Sequence, residues 1–572
     1  MNGYPGGRQI DLTASAERWI AGDPDPSTRA ELQAIVDAGD ETELEERMGA
    51  TLRFGTAGLR GRVEAGSNRM NRATVIRATR GLADHILASS PADRGPVVVG
   101  RDARLSSSVF MDDAIAVLVA AGLDVKYFAD AIPTPLVAYA ARHLGAIAAV
   151  VVTASHNPPE DNGYKVYAEN AAQIVPPADR EISQAIETVG PAVDVPRSQI
   201  VGDHVTQVPE TLFEDYLMDL AEALPTVGGD RSLRIVYTAM HGVGGRYVLA
   251  ALERFGFKGV HPVAAQLEPD GRFPTLAFPN PEEPGAMDMA HELAAAIDAD
   301  LVLASDPDTD RLAVSLPEPD GHYRQLTGNQ VGALLAEFIL NHAEIEDPIV
   351  LNSIVSSPLL AAIAAAHRAI YDQTLTGFKW IWNAALDLEA DGRGHFVFGY
   401  EEALGYSVGP AVRDKDGISA AVAFATLAAE ASASGATVWD RLGDLFRLHG
   451  VWVSTQRAIV RPGADGAEEI AAAMAGLATA TPDTLGGLLV IAVTDYREGK
   501  DQRPRYLGET PLVAFDLGAA GRALVRPSGT EPKLKIYVDL RADAGDDWRA
   551  TEERIIETAA AVATDLASFM GF

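Results

Sequence analysis

The sequence predicts an α/β chain: three regions of one architecture, then a smaller α+β region. Three observations carry that prediction. Short β-branched runs alternate with longer helical stretches between Val97 and Ala431, the pattern of βα units whose sheets are covered by helices. Near the end of the chain strands crowd together and a single long helix follows. At 572 residues the chain is too long for one core, and its length alone suggests about three to five domains.

Taken in order, the first fifty residues read as polar and helical, with a helix over Glu41 to Met48. In the first region strands are expected at Val97 to Val99, Val125 to Phe128 and Ala148 to Thr153, with helices around Val109 to Ala121 and Leu136 to His143. The second region runs from a strand at Leu233 to Ala239 through two helices to a strand at Ala299 to Ser305. The third has strands near Ile349 to Ile354 and His395 to Phe398, and helices around Ser357 to His367 and Ile418 to Ala431. The last region places strands at Leu488 to Val493, Leu512 to Phe515, Ala523 to Val525 and Leu534 to Leu540. Boundaries are expected near residues 210, 325 and 448, giving regions 1–210, 211–325, 326–448 and 449–572.

Composition narrows the function. A hydrophobic fraction of 47% supplies packed cores, and the absence of cysteine excludes disulfides, thiolate zinc sites and cysteine nucleophiles. The formal net charge of -33 repels nucleic acid and anionic membranes, so neither is expected as a partner. The first residues, Met1 to Pro5, lack a basic segment followed by an apolar one, and the most apolar stretch, Leu144 to Ala154, is about half the length that spans a bilayer. A soluble, cytoplasmic protein is expected. So acidic a chain needs a local cluster of Arg and Lys if its substrates are phosphorylated.

Four clusters carry chemistry. In Thr153-Ala154-Ser155-His156-Asn157-Pro158, followed by Asn162-Gly163-Tyr164-Lys165, an apolar strand breaks into polar loop, where open α/β sheets hold ligands. A serine there acts as a nucleophile if it is activated; the bland alternative is a turn in which Ser155 and Asn157 bond the backbone. Asp306-Pro307-Asp308-Thr309-Asp310-Arg311 follows another apolar strand and sets three carboxylates at alternate positions, suited to one hard cation. An EF-hand is rejected because its sixth and twelfth positions hold Arg311 and Pro317. Gly399-Tyr400-Glu401-Glu402-Ala403-Leu404-Gly405-Tyr406 offers adjacent carboxylates that accept from sugar hydroxyls. Arg526-Pro527-Ser528-Gly529-Thr530-Glu531-Pro532-Lys533 has the composition of a phosphate cradle between two strands.

Together, in this order and at domain-sized spacing, these clusters resemble the α-D-phosphohexomutase family, over nearly the whole chain. Phe54-Gly55-Thr56-Ala57-Gly58-Leu59-Arg60-Gly61 and Thr376-Gly377-Phe378-Lys379-Trp380 look like its phosphoglucomutase and phosphomannomutase branch that includes the type-2 enzymes, as does the helical N-terminal extension. The resemblance implies three related α/β domains and a C-terminal α+β domain around a central cleft. It implies that Ser155 carries a phosphoryl group, that Asp306, Asp308 and Asp310 hold Mg²⁺ with a phosphoserine oxygen, and that Arg60, Lys165 and Arg311 surround the transferred phosphate. His156 and Lys165 are the acid–base candidates. The sugar side falls to Glu401, with Glu402, Ala403 and Lys379, and the distal phosphate to Arg526, Ser528, Gly529, Thr530 and Lys533.

The implied reaction moves a phosphoryl group between the 1- and 6-positions of glucose or mannose through a hexose 1,6-bisphosphate, which also serves as activator. A phosphopentomutase or aminosugar phosphate mutase is the alternative within this chemistry. A phosphatase using Asp306 leaves Ser155 and the loops at 401 and 526 without roles, and a non-catalytic phosphosugar-binding protein predicts a damaged nucleophile or metal loop. One departure stands out: the family often has Glu-x-Ser in the sugar loop, and here Ala403 fills the third place.

Overall fold

The computed structural model describes residues 11–53, 58–89, 95–461, 463–528 and 533–572. Three helices, Leu12–Gly22, Pro26–Ala38 and Glu41–Met48, begin the chain; each is capped by an aspartate (Asp11, Asp25, Asp40) accepting from a first-turn amide. They close a small apolar cluster of Ala16, Leu32, Leu44, Met48 and Ala65.

The first sheet has parallel strands Ala148–Val152, Val97–Arg101, Val125–Tyr127 and Val205–Gln207, in that spatial order. Asp161–Tyr167 adds antiparallel to Ala148–Val152, and Leu59–Arg62 adds antiparallel to it in turn. The second sheet has parallel Val260–Pro262, Ile235–Thr238 and Leu301–Ala304, then antiparallel Ala313–Pro317 and Tyr323–Gln325. The third has parallel Ile370–Thr374, Pro348–Ser353 and His395–Glu401, then antiparallel Gly405–Val408. The central parallel strands Val97–Arg101, Ala148–Val152 and Leu301–Ala304 are apolar runs buried on both faces, as covering helices require.

One feature common to all three sheets places the chemistry. A parallel strand at one edge of the parallel set turns directly into an antiparallel neighbour, and the connections are 153–160, 305–312 and 402–404, in the serine, carboxylate and sugar clusters. Three equivalent turns thus present three different loops.

The C-terminal sheet is antiparallel, in the order Val451–Val460, Lys533–Ala542, Gly521–Pro527, Val513–Asp516, Ala492–Asp495, with Trp548–Phe569 packed on its first two strands. The 526–533 cluster is the connection between Gly521–Pro527 and Lys533–Ala542. The sheets gain strands beyond those expected, among them Leu59–Arg62, Ala313–Pro317, Ile370–Thr374, Gly405–Val408 and Val451–Val460, which extend the sheets towards their edges. Asp161–Tyr167, which the sequence reads as loop, is a strand buried from Asn162 to Tyr167, and its Asn162 and Lys165 are satisfied by neighbouring loops. The expected strand Leu488 to Val493 is split into Leu488–Leu489 and Ala492–Asp495, which join different sheets. Among the described residues no single helix is long and apolar enough to cross a membrane.

Candidate active site

Ser155 follows the buried strand Ala148–Val152 and takes a left-handed conformation, φ 54°. A left-handed L-residue costs about 1–2 kcal/mol, so other contacts must hold the turn. Thr153 Oγ1 accepts from the Ser155 amide at 2.8 Å, and Arg104 donates to the Ser155 carbonyl at 2.7 Å. Held in this way, the Ser155 hydroxyl crosses to the second region and donates to Asp306 Oδ2 at 2.7 Å.

Asp306, Asp308 and Asp310 are 0, 0 and 1% exposed and offer carboxylate oxygens within 4.8 Å of one another. Lys165 Nζ donates to Asp308 Oδ2 at 2.7 Å and to Asp310 Oδ2 at 2.8 Å, and Lys415 Nζ lies 3.3 Å from Asp310. Thr134 donates to Asp308, and the Arg311 amide to Asp306 Oδ1. Burial, then the Asp308 and Asp310 charges, push the Asp306 carboxyl well above its ordinary range. Burial acts the same way on Asp310, but Lys165, Lys415 and Arg311 outweigh it and hold that carboxylate below its ordinary value.

These residues fit a hard divalent cation. The Oδ1 atoms of Asp308 and Asp310 are buried and have no hydrogen-bond partner among the described residues, leaving anionic oxygens free beside Asp306 and Ser155.

The two acid–base candidates differ. Burial alone would lower the Lys165 ammonium, but the Asp308 and Asp310 charges outweigh it and hold it above its ordinary value, a fixed cation. His156 Nδ1 lies 3.2 Å from Ser155 Oγ; burial, then the Arg311 and Arg60 charges, push its imidazole well below the ordinary value, so it is neutral at pH 7. Arg60 donates to Asn157 Oδ1 at 2.8 Å and so faces the serine loop. Arg311 is tied to the sugar loop by its bridge to Gly405 and approaches Glu282 at 3.5 Å.

On the sugar side, Glu401 Oε1 accepts from the Gly377 amide at 2.7 Å, and burial, then the Glu402 charge, raise its carboxyl. Lys379 stands in the first turn of Phe378–Ala390 directly after Gly377. Glu402 points elsewhere: its Oε2 accepts from Ser353 and Ser356 at 3.2 and 3.0 Å, which pins the loop to the strand Pro348–Ser353 and the turn after it. Ala403 sits between these two carboxylates and Leu404, whose carbonyl accepts from the Leu312 amide. Arg526 is the last residue but one of the strand Gly521–Pro527, and the Ser528 amide donates to the Lys533 carbonyl at 2.7 Å. Gly529 and Thr530, like Phe54 to Ala57, lie outside the described residues.

The expected residues Ser155, His156, Arg60, Lys165, Asp306, Asp308, Asp310 and Arg311 therefore converge from two regions. Sequence reasoning passed over Arg104, Thr134 and Lys415. Two of them left a signal: Arg101-Asp102-Ala103-Arg104 leaves a strand as Ser155 does, and Arg413-Asp414-Lys415-Asp416-Gly417 is a charged run opening an apolar helix, whereas Thr134 left none.

Comparison with known proteins agrees with this geometry. Models of the phosphoglucomutase/phosphomannomutase α/β/α domains I, II and III match residues 51–192, 214–319 and 327–447, and that of the C-terminal domain matches 488–551. The chain belongs to this family. As a phosphoglucomutase/phosphomannomutase family member it is an enzyme, a phosphosugar mutase that transfers phosphate within its substrate. It is similar to the "Probable phosphomannomutase" of Haemophilus influenzae, 38% identical over 479 residues, covering 82% of this chain and 93% of that protein. It is also similar to the phosphopentomutase of Mus musculus, 34% identical over 571 residues, covering 94% and 92%. Among solved structures, the open form of the phosphoglucomutase parafusin from Paramecium shares the fold, with a TM-score of 0.67 at 18% identity over 91% of this chain and 97% of that one.

Proposed function

We propose that this mutase interconverts hexose 1-phosphate and hexose 6-phosphate, with glucose and mannose as the sugars, by way of a phosphorylated Ser155 and a hexose 1,6-bisphosphate. The observation that carries the reading is the contact of Ser155 Oγ with Asp306 at 2.7 Å inside the buried carboxylate cluster. Phosphoryl transfer asks such a site chiefly for positioning and charge neutralisation.

Asp306, Asp308 and Asp310 would hold Mg²⁺, which neutralises charge on the phosphoryl oxygens when bound. Arg60, Arg311 and Lys165 hold donors toward the same place, and their fixed charges are stronger there than in water because the site is buried. His156, neutral and beside Ser155 Oγ, takes a proton that Lys165, held charged, does not. Glu401 and Lys379 orient the sugar, and Arg526, Ser528, Gly529, Thr530 and Lys533 take the phosphate that does not react. After the first transfer the bisphosphate turns over and returns its other phosphoryl group to Ser155, so one distal cradle must accept either end of the sugar. A cytoplasmic location goes with this reading, in keeping with a chain that has no cysteine and a formal net charge of -33.

A specific observation keeps the pentose reading in view: Ala403 has no hydroxyl for the ring, and the mouse relative is named a phosphopentomutase. A panel of glucose, mannose, N-acetylglucosamine and ribose 1-phosphates, assayed with Mg²⁺ and with chelator, decides between them. The highest kcat/KM on a hexose phosphate, lost in chelator, is expected. A preference for ribose 1-phosphate would overturn the hexose assignment, and full activity with metal shown absent would overturn the metal assignment.

A further inference from the structure

Arg104 stands on the turn after the strand Val97–Arg101 and is 2% exposed. Its Nη2 donates to the carbonyls of Ser155 and Asn157 at 2.7 and 2.5 Å, and its Nη1 to those of Pro158 and Asp161 at 2.6 and 2.9 Å. One buried guanidinium thus gathers four backbone carbonyls between Ser155 and Asp161. Asp102 fixes the guanidinium from behind: its Oδ2 lies 3.2 Å from Arg104 Nε, while its Oδ1 accepts from the Arg104 amide and from Ser107. Phe273, from the second region, covers the guanidinium with its ring centroid at 5.2 Å.

Carbonyls drawn to a single point oblige the chain to wind around it. The Arg104 fork has the donors and the rigidity to do this, which a lysine ammonium lacks. Ser155 sits on that winding at φ 54°, a conformation that must be held by its surroundings. We infer that Arg104 is the positioning residue of the nucleophile: it shapes the 155–161 turn so that the Ser155 hydroxyl, and the phosphoryl group it carries, face the Asp306 cluster. The inference rests on Ser155 being the phosphoryl carrier. The Arg104 guanidinium bonds backbone carbonyls, lies against Asp102 and Phe273, and takes no part in transfer.

The test compares the parent with Arg104→Lys and Arg104→Ala, each checked by circular dichroism and thermal melting, with phosphorylation of Ser155 mapped by peptide mass in the parent. A small misplacement of a reacting group costs about a hundredfold in rate. Arg104→Ala should therefore lose about that factor in kcat while KM for the sugar 1-phosphate stays within about threefold. Added guanidinium should restore part of kcat to Arg104→Ala and none to Ser155→Ala, a response that a general loss of stability would not give. If Arg104→Ala does not fold, Arg104→Lys decides, with kcat reduced at least tenfold at unchanged KM expected. A folded Arg104→Lys or Arg104→Ala with parental kcat overturns the inference, as does a loss confined to KM. A parent that turns over with no phosphate on Ser155 overturns the carrier assignment instead.

Discussion

Replacing Lys165 by Met removes the cation that separates two buried carboxylates. Lys165 is 2% exposed and bonds Asp308 and Asp310 at 2.7 and 2.8 Å. Unit charges about 4 Å apart interact by about 4 kcal/mol at an effective dielectric constant of about 20. Breaking a buried pair by deleting one partner costs about 3–5 kcal/mol, because the other charge is left uncompensated. Lys415, 3.3 Å from Asp310, offsets part of this on one carboxylate only. For a cooperative unit of about 150–250 residues each kcal/mol lowers Tm by about 2–4 °C, so Lys165→Met in chelator should melt about 6–20 °C below the parent. A divalent cation should restore what the ammonium supplied. Mg²⁺ should therefore raise the Tm of Lys165→Met by more than it raises that of the parent. The assay is calorimetric melting of both proteins in chelator and across a Mg²⁺ titration. Equal melting of the two proteins in chelator, or a smaller Mg²⁺ response in the variant, would refute the electrostatic account of the cluster.

Arg526→Ala should weaken binding of sugar phosphate about ten- to a hundredfold, the worth of one charge-assisted bond, with the phosphate on Ser155 retained; calorimetric titration and peptide mass read the two effects. Ala403 removes one hydroxyl contact, so kcat/KM for glucose 1-phosphate and mannose 1-phosphate should lie within about a hundredfold of each other, and Ala403→Ser should widen the ratio; a parental ratio above about ten thousand would contradict this. At Gly417 an added Cβ would collide with the Arg311 carbonyl and stand 2.8 Å from that of Thr309, so Gly417→Ala should displace the carboxylate loop and lower Mg²⁺ affinity, measured by the Mg²⁺ dependence of activity.

The parts of the site that were legible in the sequence are those that advertise themselves locally. An apolar β-branched run ending abruptly in Asp306-Pro307-Asp308 marks a strand end with carboxylates on it, and Ala148 to Thr153 marks another. What stayed hidden depends on partners far away in the chain. Lys165 lies in the strand Asp161–Tyr167, whose polar residues look like loop until Asp308 and Asp310, more than a hundred residues on, satisfy its ammonium. The run that ends in Arg104 marks a strand end but not the role of its guanidinium, since its four acceptors are carbonyls, which every residue carries. Adjacent Glu401 and Glu402 read alike in sequence; only packing shows that Ser353 and Ser356 hold the second while the first faces Gly377.

The most direct test of the account is the fate of the phosphoryl group on Ser155. The protein is charged with glucose 1,6-bisphosphate, freed of excess, and mapped by peptide mass before and after mixing with a single-turnover amount of glucose 1-phosphate and Mg²⁺. One phosphoryl group on the peptide containing Ser155 is predicted, passing to the sugar as bisphosphate and returning as glucose 6-phosphate appears, with Ser155→Ala neither charged nor active. Turnover by Ser155→Ala near the parental rate, or a phosphoryl group carried on a different residue, would contradict it.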